Sequence, residues 1–235
     1  MNLEQYPMPI ALEHCFIENS IVVFYYNTPY HWTHIQKMVV EAFANEGENL
    51  DEYPLVNEKE MNPDGDAQKV CFSTGELKLL VEGKRISFNC VSSYPGWEAY
   101  RRFIRIAMRA IPNEELQFLS VGVRYISRYE NIPIFPKLDG QVSLNQYQDV
   151  NGAEIRFPIR EIGNITGLVR VTNMLLSKDG GTSSSYADVD IRKEHHTNSV
   201  DEIIDICEEI HYKEKQYFFK LISNDFVQEL GPVYE

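Results

Sequence analysis

LQFLSVGVRYISRYENI, residues 116–132, reads as one long β-strand. Leu119, Val121, Val123 and Tyr125 fall on one side of it. Ser120, Gly122, Arg124, Ile126 and Arg128 fall on the other. One apolar and one polar side is the pattern of a strand covered on a single face, as in an antiparallel sheet.

Working outward, the segments on either side supply that sheet and its cover. Upstream, SIVVFYYN (20–27) is β-branched and aromatic and reads as a buried strand, punctuated by Thr28-Pro29. Trp32, Ile35, Val39 and Phe43 then recur at helical spacing, and Gly47 closes that helix. Residues 48–68 are acidic and turn-rich and read as a mobile loop. VCFST, ELKLLVEG and RISFNCVSS follow as strands around 70–74, 76–83 and 85–93, with a hairpin turn at Gly83-Lys84-Arg85. A helix over 97–111 leads into the opening strand.

Downstream, a Pro-rich turn (132–140) precedes VSLNQYQDV, a short helix or a loop. EIRFPIREI (154–162) and ITGLVRVTNMLLS (165–177) form a hairpin around Gly163-Asn164, and KDGGTSSS is a flexible turn. YADVDIRKEHH (186–196) is a strand. Asn198-Ser199 caps a final helix with Ile203, Cys207, Ile210, Tyr217 and Leu221 in a stripe. The order is β-α-β-β-β-α-β followed by β-β-β-α. It predicts an α+β fold, antiparallel sheets with helices packed on one face. Residues 1–132 make an N-terminal α+β half and 133–235 a C-terminal β-β-β-α half, packed as one compact unit.

The net charge of −13 argues against wholesale nucleic-acid binding, because a polyanion would be repelled over much of the surface. No apolar run approaches the length of a membrane span. The start, MNLEQYPMPIALEHC, lacks the pattern of a signal peptide. Cys15, Cys71, Cys90 and Cys207 form no C-x-x-C pair and read as buried free thiols in a reducing compartment. The expected location is the cytoplasm.

The helix over 97–111 sets Trp97, Tyr100, Ile104, Ala107, Met108 and Ile111 on one face. Arg101, Arg105 and Arg109 line up opposite, with Arg102 beside them. Such a row is either the solvated side of a packed helix or a docking surface for an acidic partner, a phosphate or RNA. Pro95-Gly96 turns the chain off the strand, Trp97 opens the helix, and Glu98 sits in its first turn, where the dipole favours a carboxylate.

FNCVSSYPGWEAYRRF, then SVGVRYISRYENIPI, then YADVDI before a long last helix, resembles a sporadically distributed family of uncharacterised bacterial proteins of about this chain's length. The family's Y-x-G-W-E falls at Tyr94, Gly96, Trp97 and Glu98, and its G-x-R-Y-x-x-R at Gly122, Arg124, Tyr125 and Arg128. Its early P-P-V-x-E becomes PIALEH here, with Glu13. The resemblance implies a bacterial cytoplasmic protein and supplies no activity or catalytic residue. Its scattered distribution associates it with defence systems.

Arg124 requires a carboxylate partner if its face is covered, and Glu98, Asp188 and Asp190 are the candidates for a structural ion pair. A ligand-binding Arg124 in a cleft is the alternative. Asp188, Asp190, Glu194, His195 and His196 could serve a divalent metal in phosphodiester hydrolysis. Adjacent histidines point to opposite sides of a strand, however, and the set reads better as a solvated strand end. His31 and His34 lack a third ligand nearby, and His211 reads as a surface or partly buried residue.

The favoured expectation is a non-enzymatic interaction or sensor module with another protein as partner, encoded by a neighbouring gene. No cofactor, metal or catalytic residue is expected. Arg101, Arg105, Arg109, Arg124, Trp97 and Tyr125 are the candidate contacts. The alternatives are a metal-dependent enzyme on a nucleotide or nucleic acid, using Asp188, Asp190 and His195, and a small-anion cup. In that cup Arg124 grips the ligand and Tyr125 or Trp97 lines it.

Overall fold

The computed structural model describes residues 8–53, 69–74, 77–82, 84–91, 94–112, 116–140, 151–176 and 182–234. Its main element is a nine-stranded antiparallel sheet. The N-terminal half contributes β2 (Ile17–Asn27), β3 (Asp51–Tyr53), β4 (Lys69–Thr74), β5 (Leu77–Glu82), β6 (Arg85–Val91) and β7 (Gln117–Glu130). The C-terminal half adds β8 (Glu154–Glu161), β9 (Ile165–Leu176) and β10 (Ser183–Thr197). The order across the sheet is β3-β4-β5-β6-β2-β7-β10-β9-β8. The two sequence halves therefore join within one sheet, through the β7–β10 pairing.

Three helices cover one face. They are α1 (Trp32–Asn45), α2 (Trp97–Arg109) and α3 (Val200–Leu221), the last capped by Ser199, whose hydroxyl accepts from the Glu202 amide at 3.2 Å. A short α4 (Asn224–Glu229) follows. The covered side carries Val22, Phe24 and Tyr26 of β2, Ile86 and Phe88 of β6, Val121, Val123 and Tyr125 of β7, and Val189 and Ile191 of β10, all buried. Ile35, Val39 and Phe43 of α1 and Tyr100, Ile104, Ala107 and Met108 of α2 meet them. Each large apolar side chain so buried contributes about 1.5–3 kcal/mol. Tyr100 also pins α2 to the sheet: its hydroxyl donates to the backbone carbonyls of Ser20 and Phe88.

Helix α1 ends as its glycine requires. Gly47 has φ +76°, the Gly47 amide donates to the Ala44 carbonyl, and the Glu48 amide donates to that of Phe43. The segment after it, expected as a loop, contributes the edge strand β3 at its start; residues 54–68 lie outside the described part. So do 141–150, where a short helix or loop was expected, and most of the turn before β10.

In β7 the simple alternation breaks once. Against β2 the pairing passes from Tyr25–Ser120 to Tyr26–Phe118, so Leu119 is the extra residue of a bulge. Phe118, rather than Leu119, therefore reaches the covered core, where it lies edge-on to Phe24.

One further pairing shapes the site below. Strand β1 (Ala11–Leu12) pairs with β11 (Pro232–Val233), and the amides of Glu13 and His14 donate to the carbonyls of Gly231 and Leu230. The start of the described chain is thus held beside α3 and α4.

Candidate binding site

Among the described residues, the Arg124 side of the sheet is the one the helices leave uncovered. There Nε and Nη2 of Arg124 each donate to a different oxygen of Asp188, both at 2.8 Å. Arg170 adds a third bond to Asp188 at 3.2 Å. A two-pronged guanidinium–carboxylate pair fixes geometry as well as charge. Asp188 has only 8% of its side chain exposed, against 32% for Arg124. Glu98 is not in this group. It lies on the opposite side of the sheet, in the first turn of α2, where it pairs with Arg101 at 3.0 Å. Asp190 is opposite Arg124 in the strand register but is itself exposed. With its fork occupied by Asp188, and on the far side of the sheet from Trp97 and Tyr125, Arg124 does not share a cup with those rings.

The arginine row is answered from within the chain. Arg101 and Arg105 reach Glu208 of α3 at 2.8 and 3.4 Å, and Arg109 reaches Asp201 at 2.8 Å. Arg102 pairs with Glu48 beyond the end of α1, at 2.7 Å. These half-exposed pairs are worth at most about 1 kcal/mol each. They orient α2 against α3 more than they stabilise it.

The metal-like set does not assemble. Asp188 and Asp190 face the open side, whereas His195 lies beside α3 with Nε2 2.7 Å from Glu202. His31, just before α1, and His34, in its first turn, are both exposed. Among the described residues no group of three or more His, Cys, Asp or Glu is arranged to hold a metal ion. Among the same residues no helix is long and apolar enough to cross a membrane. Cys90 and Cys207 are buried; Cys15, expected to be buried, is exposed in the segment after β1.

What the two motifs do share is a cavity of about 290 Å³. It opens between β7, α3, the turn into α2, and the strap from Pro9 to Ile17. Tyr94, Gly96 and Trp97 of the first motif line it together with Tyr125 of the second. Gly96 makes the entry possible: at φ +88° and ψ 156° it turns the chain from the strand into α2, whose first carbonyl bond joins it to the Tyr100 amide. That turn delivers Trp97 onto His211 of α3, the rings stacked at 3.9 Å and 15°.

A hydrogen-bonded chain runs along the wall. The Tyr94 hydroxyl lies 3.0 Å from that of Tyr125, which lies 3.3 Å from Nδ1 of His211. Burial pushes both phenols up, so they stay protonated. Enclosure drives His211 down to about 3, with the nearby Lys215 adding to the effect, so its imidazole is neutral near pH 7. Glu214, one helical turn on, is 4% exposed. Burial raises its carboxyl well above the ordinary range, with Lys215 opposing weakly. Among the described residues Glu214 makes no hydrogen bond and no ion pair. The Lys215 ammonium donates instead to the Pro9 carbonyl at 3.1 Å.

Glu214 and His211 are absent from the sequence-based candidates. The signal for Glu214 was present: the stripe Ile203, Cys207, Ile210, Tyr217, Leu221 skips one turn, and the vacant place is 214. A carboxylate in an apolar stripe of a capped helix marks a buried charge.

No protein-family model matches this chain, and no curated protein matches it.

Proposed function

We propose that the protein is a non-catalytic binding module, a sensor whose ligand enters the cavity walled by Tyr94, Trp97, Tyr125, His211 and Glu214. The observation that carries this reading is the convergence of the two sequence motifs on one cavity. Its rings supply apolar and aromatic surface, and a few polar groups sit among them, the usual make-up of a small-molecule pocket. Binding is favoured over bond-making because the groups suited to chemistry are engaged elsewhere. Asp188 is held by two arginines, and the arginine row of α2 is neutralised by α3. The buried thiols of Cys90 and Cys207 fit a reducing cytoplasm.

Ligand-observed NMR with a set of single-ring fragments tests the proposal. Fragments should bind the wild type and be lost with Trp97→Ala. Binding that is indifferent to Trp97→Ala, or absent altogether, sinks it.

A second reading, contact with a partner protein, is favoured by a different observation. Ile10, Val233 and Tyr234 are 55%, 40% and 42% exposed at the β1–β11 ribbon, where Ile10 also lines the cavity. Exposed apolar side chains grouped in this way suit a protein contact. A stable complex that survives Val233→Asp and Tyr234→Asp together would remove this reading.

A further inference from the structure

We propose that the ligand is a small organic cation, an amine or quaternary ammonium on a compact apolar body, whose charge is met by the Glu214 carboxylate inside the rings of Tyr94, Trp97 and Tyr125. This rests on the reading of the cavity as a binding site. Three observations carry it. Glu214 is almost wholly buried, lines the cavity, and makes no hydrogen bond or ion pair among the described residues. A buried polar group in that state costs free energy that a ligand can return. The walls around it are aromatic, with Phe16, Phe218 and Phe219 joining the three rings already named. Aromatic faces attract cations, most strongly when water is excluded. Finally, Lys215 is turned to the Pro9 carbonyl and lies outside ion-pairing distance of Glu214, so the carboxyl has no internal counter-ion there. A volume of about 290 Å³ has room for a small compact ligand.

An anion meets the opposite conditions. Arg124 is on the far side of the sheet, His211 is neutral, and the Lys215 ammonium at the cavity wall is taken up by the Pro9 carbonyl.

Burial pushes the Glu214 carboxyl up and a bound cation opposes that, so binding favours loss of its proton. Binding therefore releases protons and tightens as pH rises. The other titratable groups facing Glu214 are His211 and Lys215 on α3, Tyr94 before α2, Tyr125 and Tyr129 on β7, and His14 and Cys15 on the strap. The phenols are pushed up by burial, and His211 is already neutral.

The test is a calorimetric titration with choline and with 3,3-dimethylbutan-1-ol, which has the same shape with carbon in place of the charged nitrogen. The expected result is that choline binds at least about tenfold more tightly, and that Glu214→Gln abolishes the difference. In the wild type alone, choline should release protons, read from buffers of different ionisation enthalpy, and the alcohol should release none. That measurement stands even if the variant does not fold. Equal binding of the two probes, both lost with Trp97→Ala, overturns the cation and leaves the cavity reading intact. A choline preference that survives Glu214→Gln, or choline binding without proton release, overturns Glu214 as the counter-charge. Failure of both probes, together with failure of the ring fragments, removes the cavity reading as well.

Discussion

Trp97 lies flat on His211, with ring centroids 3.9 Å apart and planes 15° apart. The first residue of α2 is thereby joined to the middle of α3 in the wall of the cavity. Contact between aromatic rings is worth about 0.5–1.5 kcal/mol beyond the area buried. A double-mutant cycle with Trp97→Ala and His211→Ala, read by urea denaturation, should give a coupling energy in that range. A coupling near zero would mean that the two rings merely lie side by side.

Gly96 and Gly122 both belong to the sequence motifs, yet only one is required by the backbone. Gly96 has φ +88° with open space where a Cβ would sit, so Gly96→Ala meets conformational strain and no clash. At ψ 156° this is a region that only glycine adopts readily, and the cost should be about 1–3 kcal/mol. At Gly122 a Cβ would lie 3.7 Å from the Ile191 carbonyl, an ordinary contact. Gly122→Ala should therefore be close to neutral. Thermal denaturation of the two variants separates the cases, at roughly 2–4 °C per kcal/mol for a chain of this size.

The strands and helices were legible because hydrophobic period and turn residues agree along most of the chain. Ile35-Val39-Phe43 and Tyr100-Ile104-Ala107 announce their covered faces without help from distant residues. The bulge at Leu119 was not legible, since it arises from register against β2 and leaves no mark in β7 itself. The pairing of Arg101 and Arg105 with Glu208 could not be read either. It depends on α2 and α3 lying side by side, more than a hundred residues apart in sequence. The cavity was half legible. Trp97 and Tyr125 stood out by type, but only folding brings them to Glu214, and an isolated glutamate in a helix reads first as a solvated one.

Asp188 serves two arginines at once, and its removal should cost more than the removal of either partner. Asp188→Ala leaves Arg124 and Arg170 without their shared carboxylate, at a cost of about 2 kcal/mol. Arg124→Ala leaves Asp188 still bonded to Arg170 at 3.2 Å and should cost roughly half as much. Urea denaturation of both variants checks the order. The reverse order would show that Arg170 does not take up the carboxylate when Arg124 is gone.

His211 and Glu214 give stability opposite dependences on pH. The imidazole titrates at about 3 in the fold against 6.5 in the unfolded chain. Between those values the unfolded chain binds the extra proton, so this group's contribution is complete above 6.5 and is lost as pH falls toward 3. Glu214 behaves the other way, because its folded value lies above the ordinary 4.5. Its contribution is complete below 4.5 and is lost as pH rises through the folded value. Each slope approaches about 1.4 kcal/mol per pH unit while its group is the one titrating. From 4.5 upward the two oppose one another while both titrate, which flattens the wild-type profile there. Glu214→Gln should therefore gain on the wild type steadily as pH is raised above 4.5, and His211→Gln should gain on it as pH is lowered below 6.5. Unfolding free energies of the three proteins across this range provide the measurement. A constant offset between Glu214→Gln and the wild type would show a carboxyl that titrates alike in both states, and so one that is not buried without a counter-ion.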